Sequence, residues 1–381
     1  MSCILLGPRQ TGKSSLVRAA LADSDTWYVD LLEEETFLHF ARDPGIFRRE
    51  VLARAATGTR VFAVDEIQKL PALLDEIHSL IETDGLRFVM TGSSARKLRR
   101  GGANLLAGRA AMRHLHPLTV SEMGDRFDLE TALRFGTLPA VAATDDVEMR
   151  MEILRGYANT YLREEIQAEA IVRNIGGFAR FLDLAASNSG GLINFASLAR
   201  DVAVSVKTAQ EYYQILDDTL LALRLEPWRK SARARMVAQP RVYLFDTGVT
   251  NAVAGRLTAA LTPDLRGRLF EQWLILEVWH TCSYHFPETR LFFWRTHSGA
   301  EVDLLLQRHG ELRVAIEIKS KSHVATADLS GLRTFAEVHP TVPRLVVAPV
   351  PNAFELNGVL VLPYRQFLSE LAQWLGPQHG V

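Results

Sequence analysis

Residues 2–6, SCILL, form a short apolar run, and residues 7–14, GPRQTGKS, follow at once. The second stretch has the pattern G-x-x-x-x-G-K-[ST] of the phosphate loop, and it lies where that motif requires, after an apolar strand and before a helix. Its glycines allow backbone N–H groups to turn toward phosphate oxygens. We predict that Lys13 reaches the β- and γ-phosphates of ATP and that Ser14 holds Mg²⁺. A chance match in a glycine-containing turn is the alternative.

A helix predicted over residues 14–21 directs its positive N-terminal end at the same phosphates. The nucleotide-binding residues predicted from the loop are Gly7, Pro8, Arg9, Gln10, Thr11, Gly12, Lys13, Ser14 and Ser15.

The second half of a nucleotide site is predicted at residues 60–66, RVFAVDE. Its apolar residues predict a strand buried on both faces. Asp65 and Glu66 stand at the carboxyl end of this strand, where open α/β sheets place their ligands. We predict that Asp65 binds Mg²⁺ through water and that Glu66 orients and deprotonates the attacking water. A strand that enters a polar turn gives the same pattern, but the phosphate loop favours the functional interpretation.

Length and composition bound the class of protein. A chain of 381 residues predicts two or three domains. It has no apolar run long enough to span a bilayer and no signal peptide, so we expect a cytoplasmic protein with no membrane partner. Its two cysteines, Cys3 and Cys282, are far apart and are expected to be buried reduced thiols. With a net charge of −1, any contact with DNA depends on local basic patches.

A strand predicted over residues 86–90 ends in residues 91–94, TGSS. Either Ser93 or Thr91 suits the position of a sensor for the γ-phosphate. A helix N-cap is an alternative that is compatible with the first interpretation. The basic run at residues 96–102, RKLRRGG, is typical of a solvated helix end, although it could also face DNA.

Arg109 precedes a strand predicted over residues 112–118. We predict that it acts as an arginine finger on the γ-phosphate held by a neighbouring subunit. The alternative is a structural ion pair, for example with Glu122.

Six stretches together carry a resemblance to a known family: GPRQTGKSSL, VFAVDEIQ, FVMTGSSA, LLAGRA, HPLTVSE and GTLP. The set resembles the AAA+-type P-loop ATPases of bacteria and archaea in which a winged helix and a nuclease-like domain follow the ATPase. The resemblance implies an α/β fold with a parallel sheet, ATP and Mg²⁺ as cofactors, and a homo-oligomer such as a hexamer. That family usually has a segment before the first strand that helps to enclose adenine. This chain begins on the strand, so we expect weakened adenine binding or a start that was assigned too late.

The resemblance predicts three domains. They are an ATPase core over residues 1–125, a helical linker with a winged helix-turn-helix over 126–240, and a PD-(D/E)xK nuclease-like α/β domain over 241–381.

In the middle region, residues 147–170 predict a long charged helix that serves as an ATPase lid or connector. Asn194 and Ser205 are suited to cap two later helices, whose spacing fits a helix-turn-helix with residues 206–216 as the recognition helix. The early polar residues of that helix are Lys207, Thr208, Gln210 and Glu211.

Residues 221–241 are predicted to form the wing of this helix-turn-helix, and they contain several basic residues against the single acidic Glu226. The basic residues are Arg224, Arg229, Lys230, Arg233, Arg235 and Arg241. This local excess favours contact with duplex or branched DNA. A winged helix that only packs between domains is the alternative.

In the last region, strands predicted over residues 301–306 and 312–319 form a hairpin. Asp303 lies on one strand, and Glu317 and Lys319 alternate on the other, so these two share a face. The set resembles the PD-(D/E)xK nuclease core. Asp303 and Glu317 can share an oxygen-ligated divalent metal, with Lys319 near the attacking water or leaving phosphate. Glu271 on a helix predicted over 269–280 matches the further acidic residue of that superfamily. A solvated strand face is the alternative.

Together these features predict an ATP-hydrolysing DNA-processing protein with a Mg²⁺-dependent endonuclease domain or a relic of one. The rival class is a nucleotide-controlled switch that gates a partner or a DNA complex without cutting. A small-molecule kinase is disfavoured by the Asp65–Glu66 pair and by the additional domains.

Overall fold

The computed structural model describes residues 1–93, 108–161, 175–229 and 239–376. The N-terminal part contains a five-stranded sheet of order β2-β3-β4-β1-β5, and all its pairings are parallel. Its strands are β1 (Ser2–Leu6), β2 (Thr26–Asp30), β3 (Val61–Asp65), β4 (Arg87–Gly92) and β5 (Ala110–His114). Because the strands are parallel, their carboxyl ends meet at one edge, where the predicted nucleotide residues are also found.

Among the described residues, four helices accompany this sheet: α1 (Lys13–Ala20), α2 (Glu34–Arg42), α3 (Pro44–Ala56) and α4 (Leu73–Asp84). The helix α3 begins at Pro44, which occupies its first turn, and Asp43 caps it by accepting a hydrogen bond from Gly45 N. Phe47 then packs with Phe62 and Phe88 in the buried core. The basic run at residues 96–102 lies outside the described residues.

The middle part is mostly helical. Its helices are α5 (Val120–Met123), α6 (Leu129–Phe135), α7 (Pro139–Ala142), α8 (Val147–Gly156), α9 (Ile175–Ser187), α10 (Phe195–Asp201) and α11 (Val206–Asp218). The long helix predicted over residues 147–170 continues past α8 as a π-helical turn at Tyr157–Tyr161, and its remainder lies outside the described residues. The predicted caps are confirmed, since Asn194 accepts from Ala196 N and Ser197 N, and Ser205 accepts from Thr208 N.

A hairpin of β6 (Ala222–Pro227) and β7 (Arg241–Leu244) follows α11. Leu192 bridges to Arg241, so the segment between α9 and α10 joins the same hairpin. In addition, β6 pairs in parallel with a later strand, β8 (Thr289–Arg295). The hairpin therefore extends the sheet of the last region and does not stand apart from it.

That sheet has eight strands among the described residues, in the order β12-β13-β11-β10-β9-β8-β6-β7. Its other strands are β8 (Thr289–Arg295), β9 (Glu301–Arg308), β10 (Glu311–Ile318), β11 (Arg344–Ala348), β12 (Phe354–Leu356) and β13 (Val359–Pro363). The helices of this part are α12 (Thr247–Val253), α13 (Pro263–His285), α14 (Ser330–Val338), α15 (Tyr364–Ser369) and α16 (Leu371–Leu375).

Both cysteines are free, as predicted, but only Cys282 is buried, since Cys3 is partly exposed. Within the described ranges, no helix has both the length and the apolar character needed to cross a membrane.

Candidate functional site

The predicted phosphate loop joins β1 to α1. Gly12 has a left-handed φ of 89°, which turns the chain into the helix. Gly7 lies against the segment after β5: a Cβ there would stand 2.2 Å from the carbonyl oxygen of Leu115, so no larger residue fits. Lys13 is 5% exposed, and its Nζ donates to the carbonyl oxygens of Gly7 at 2.9 Å and Pro8 at 2.8 Å. The ammonium group is thus held within the loop.

A cavity of about 280 Å³ opens beside this loop. Its lining residues are Arg9, Gln10, Gly12, Lys13, Ser14, Ser15, Leu32 and Glu66. The cavity brings Glu66, from the end of β3, to the predicted phosphate-binding residues. Gly12 supplies no side chain to cap α1, so the positive end of that helix faces the same space. This donor set fits the phosphates of a nucleotide, with Ser14 in position to hold their metal ion.

Asp65 is fixed from two sides. It is 1% exposed, and its carboxylate accepts hydrogen bonds from the hydroxyl groups of Tyr28 and Thr91. Thr91 Oγ1 also accepts from Glu66 N at 3.1 Å. Burial and the hydrogen bond to Asp65 raise the pKa of Tyr28, so that phenol remains a donor. Thr91, predicted as one of two sensors, therefore orients Asp65. Tyr28 was not predicted, although it lies on the strand next to β3.

Glu66 is connected to Ser93 through one side chain. Gln68 Nε2 donates to Glu66 Oε2 and to Ser93 Oγ, the latter at 3.0 Å. Glu66 has a left-handed φ of 58°, which is uncommon for a residue with a side chain and marks a constrained position. The predicted sensor and the predicted base are therefore joined. Gln68 belongs to the DEIQ stretch, but the sequence pattern did not indicate this bridging contact.

Arg109 lies just before β5, at the amino ends of the parallel strands, whereas the phosphate loop lies at their carboxyl ends. Its guanidinium forms an ion pair with Glu82 on α4, and its side chain is 35% exposed. The prediction that Arg109 pairs with Glu122 is wrong, because the partner is Glu82 and Glu122 forms a capping box with Thr119. A five-residue strand spans about 16 Å, so Arg109 is far from the cavity of its own chain.

The residues of the predicted nuclease core lie together. Leu304 pairs with Ile316 in the β9–β10 register, which sets Asp303 across from Glu317, and both are 8% exposed. Asp303 Oδ2 accepts from Ile318 N at 2.8 Å. Lys319 Nζ donates to Glu317 Oε1 at 2.6 Å, whereas the buried Glu317 Oε2 has no partner. Burial and the neighbouring Asp303 raise the pKa of Glu317 to about 8.

The prediction that Arg241 contacts DNA as part of the wing is wrong. Arg241 is 7% exposed and is therefore not available to DNA. Its Nη1 donates to Glu271 Oε1 at 2.8 Å, its Nη2 pairs with Glu301, and Nη1 lies 4.0 Å from Asp303 Oδ1. Burial opposes its charge, but the surrounding acidic groups keep its pKa above the ordinary value.

Among the other predicted basic residues of the wing, Arg224 pairs with Glu226 at 2.7 Å. Lys230, Arg233 and Arg235 lie outside the described residues.

The predicted metal ligands fit a divalent cation only in part. In the portion of the chain that the structure describes, no group of three or more His, Cys, Asp or Glu side chains is arranged to hold a metal. Glu271 Oε1 accepts from both Arg241 and the Tyr243 hydroxyl, the latter at 2.7 Å, so Glu271 serves as a partner of Arg241. Asp303 Oδ1 and the unpartnered Glu317 Oε2 remain as oxygens that a hard cation could use. The donor set therefore fits a two-carboxylate site without Glu271.

The helix α13 of the last region contacts the segment that follows β5 of the N-terminal part, a contact that no sequence pattern predicted. Tyr284 Oη accepts from His116 N at 2.9 Å, and the rings of His116 and His280 stack with centroids 4.4 Å apart. Glu277 Oε1 accepts from Val120 N at 2.7 Å. Burial raises the pKa of Glu277 to about 8 and lowers that of His280 to about 3.

Comparison with known families divides the chain into three matched stretches. Residues 1–124 match the model of an AAA domain. Residues 126–260 and 266–367 match two domains of unknown function, DUF8612 and DUF4143 respectively. With its phosphate loop and parallel sheet, the first stretch has the P-loop NTPase fold and is ATPase-like.

Several relatives match most of the chain. An uncharacterized protein of Mycobacterium tuberculosis (strain ATCC 25618 / H37Rv) is 28% identical over 373 residues, which cover 96% of this chain and 80% of the relative. An uncharacterized protein of Methanocaldococcus jannaschii is 21% identical over 342 residues, covering 83% of this chain and 74% of the relative.

Among solved structures, domain III of the Thermotoga maritima replication initiation protein DnaA is similar with a TM-score of 0.23 and 13% identity, covering 53% of this chain and 83% of that one. AMPPCP-bound DnaA from Aquifex aeolicus gives a TM-score of 0.24 and 13% identity, covering 56% of this chain and 81% of that one.

Proposed function

We propose that the chain hydrolyses ATP and processes DNA, with a Mg²⁺-dependent endonuclease site in its C-terminal domain. The observation that carries the proposal is the cavity in which the phosphate loop meets Glu66. A phosphate-binding loop and a buried carboxylate on one cavity supply the two groups that hydrolysis of a phosphoanhydride needs.

In this proposal, Lys13 and the amides at the start of α1 bind the phosphates of ATP. Ser14 and Asp65 hold Mg²⁺, which neutralises phosphate charge when bound. Glu66 accepts the proton of the attacking water, and Gln68 fixes the direction of its carboxylate. Ser93, at the other end of the Gln68 bridge, senses the γ-phosphate.

We further propose that the protein acts as a homo-oligomer, such as a hexamer, in which Arg109 completes the site of a neighbouring subunit. The position of Arg109 supports action on a neighbouring subunit, because Arg109 lies at the amino ends of the strands, away from the cavity of its own chain. Its partial exposure leaves the guanidinium within reach of another chain.

The nuclease part of the proposal rests on Asp303, Glu317 and Lys319. A divalent cation at the two carboxylates would lower the pKa of a bound water and stabilise charge on the phosphate. Lys319, held at Glu317, presents a positive charge beside the same oxygens.

DNA would reach this site through the middle region. The helices α9, α10 and α11 with the β6–β7 hairpin have the order of a winged helix. On α11, Lys207, Gln210 and Glu211 are exposed, which favours this surface for contact with duplex or branched DNA.

The alternative is a nucleotide-controlled switch or a DNA-binding regulator whose nuclease-like domain does not cut. One observation favours it: Arg241 lies among the carboxylates that a catalytic metal would use.

The two functions are separated by measuring ATPase and nuclease activities together on single-stranded, duplex and branched DNA. We expect Glu66→Gln to bind ATP but to lower kcat about a hundredfold, because the general base is lost. Asp303→Asn is expected to abolish Mg²⁺-dependent cleavage and to leave ATP hydrolysis unchanged.

The exposed Glu35→Gln is a matched control for the loss of one carboxylate near the ATPase core. If Glu66→Gln hydrolyses ATP at the wild-type rate, the assignment of Glu66 as the general base is wrong. If wild type cuts no DNA with any divalent metal, the switch is the correct function. Equal cutting by wild type and Asp303→Asn would indicate a contaminating nuclease.

A further inference from the structure

The acidic cluster contains its own buried cation. Four carboxylates, those of Glu271, Glu301, Asp303 and Glu317, lie around Arg241 and Lys319. Arg241 pairs directly with two of them and is 4.0 Å from a third, Asp303. The side of Asp303 that faces away from Ile318 therefore already has a positive neighbour.

This cation is held firmly in place. Its guanidinium lies over the ring of Phe293, with the central carbon 5.1 Å from the ring centroid. On one side Glu271 is also bound by Tyr243, and on the other Glu301 is bound by Arg295 at 2.8 Å. A guanidinium with fixed partners on both sides does not move aside without breaking charge-assisted hydrogen bonds.

Arg241 comes from a different part of the chain than the carboxylates it contacts. It begins β7, pairs with Leu225 on β6 and bridges to Leu192. The carboxylates lie on α13, β9 and β10. The position of the β6–β7 hairpin thus determines whether the Arg241 guanidinium lies in the cluster.

We propose that Arg241 is a built-in counter-ion that takes up space beside Asp303 and competes with a divalent metal for the carboxylates of this cluster. This inference rests on the proposed function only in placing the metal at Asp303 and Glu317. Like charges within a few ångströms repel strongly when they are shielded from water, so Arg241 weakens metal binding in the resting protein. Its removal frees Glu271 and Glu301 as additional ligands.

The test is binding of Mn²⁺ to nucleotide-free, full-length protein, measured by electron paramagnetic resonance and by calorimetry. We expect Arg241→Gln to raise the Mn²⁺ affinity about tenfold or more, because one repelling charge is lost and two carboxylates are released. Arg295→Gln is the matched control: it removes an arginine from the same Glu301 but leaves the space beside Asp303 filled, so its affinity is expected to stay near that of wild type.

Since Arg241→Gln removes a charged partner from both Glu271 and Glu301, a second pair of variants guards against loss of the fold. Glu271→Gln is compared with the double variant Arg241→Met/Glu271→Gln, which removes one charge of each sign. The proposal predicts tighter Mn²⁺ binding by the double variant than by Glu271→Gln, and loss of that gain when Asp303→Asn is added.

Equal Mn²⁺ affinity in wild type, Arg241→Gln and the double variant would overturn the proposal. The same increase in Arg295→Gln would also overturn it, because a general charge effect would then explain the result. Tighter Mn²⁺ binding without DNA cleavage would support the counter-ion and contradict the endonuclease function. Failure of the counter-ion proposal and failure of the proposed endonuclease function are therefore distinguishable.

Discussion

At the scale of single residues, Gln68 is the side chain that joins the proposed base Glu66 to the proposed sensor Ser93. It is 5% exposed, and its amide nitrogen is shared between Glu66 and Ser93. In the proposed site, a donor held between the base and the sensor orients the base without contacting the phosphates itself. Gln68 is therefore a positioning residue, and its effect is expected on turnover and not on binding.

We predict that Gln68→Leu, which keeps the size of the side chain and removes the donor, lowers kcat for ATP about tenfold and leaves KM within about twofold, because a mispositioned base slows the chemical step. Steady-state kinetics with ATP measure both constants. Gln214→Leu is the matched control, since Gln214 is exposed and bonds only Asp218 on its own helix among the contacts described. A rise in KM with unchanged kcat would contradict the positioning role.

At the scale of elements, patterns that are local in sequence were predictable. The strands around the phosphate loop and the acidic pair are continuous apolar runs, and the caps at Asn194 and Ser205 lie within three residues of the amides they bind. In contrast, α12 was missed. Its cap Asp246 also accepts from Thr137 N at 2.8 Å, and Gly248 lies so close to Phe135 that a Cβ would be 2.0 Å from its carbonyl oxygen. These contacts join segments more than a hundred residues apart.

The placement of Arg241 could not be predicted for the same reason. In the sequence it ends an arginine-rich stretch, so it was assigned to DNA. In the fold it begins a strand whose four residues are all buried. An arginine at the start of an otherwise apolar strand could have indicated that Arg241 is buried. Its partners Glu271 and Glu301 could not be predicted, because the packing of α13 and β9 brings them to it.

An ion pair between Arg109, just before β5, and Glu82 on α4 joins these two elements away from the cavity, and each residue can be substituted separately. We predict that Arg109→Ala lowers ATP hydrolysis about a hundredfold or more while nucleotide binding persists, as expected for a lost arginine finger. Mixing Arg109→Ala with Lys13→Ala subunits is expected to restore some hydrolysis, since some interfaces then pair an intact site with an intact finger.

The control for Arg109 is Glu82→Gln, which removes the ion pair and keeps the arginine. If the ion pair is all that matters, the two variants will lose activity equally. A wild type that is monomeric and fully active, or the absence of any restored activity in the mixture, would contradict action in trans.

At the scale of the whole molecule, α13 carries one residue of the acidic cluster and, nearer its carboxyl end, residues that contact the N-terminal part. Glu271 binds Arg241, and one to four turns later Glu277, His280 and Tyr284 contact the segment after β5. That segment includes Leu115, against which Gly7 of the phosphate loop is packed. The sequence indicated α13 as a helix but gave no sign of this contact, because the partners of Glu277 and Tyr284 lie 157 and 168 residues earlier in the chain.

The contact made by α13 predicts how stability depends on pH. Glu277 has a folded pKa of about 8 against an ordinary 4.5, so the folded protein keeps a proton that the unfolded chain releases, and stability falls as pH rises from 4.5 to 8. His280, at about 3 against 6.5, has the opposite effect below pH 6.5. The two effects oppose each other between pH 4.5 and 6.5, and only the loss from Glu277 continues above 6.5.

We therefore predict that Glu277→Gln, which keeps an oxygen to accept from Val120 N, reduces the loss of unfolding free energy between pH 6.5 and 8 by about 1.5 kcal/mol. Urea unfolding at the two pH values measures this difference. The exposed Glu211→Gln on α11 is the control and is expected to lose as much as wild type, since the other buried acids contribute equally to both proteins. Equal losses in Glu277→Gln and wild type would show that Glu277 is already ionised in the folded protein at pH 6.5, and that its contact with Val120 is a charged one.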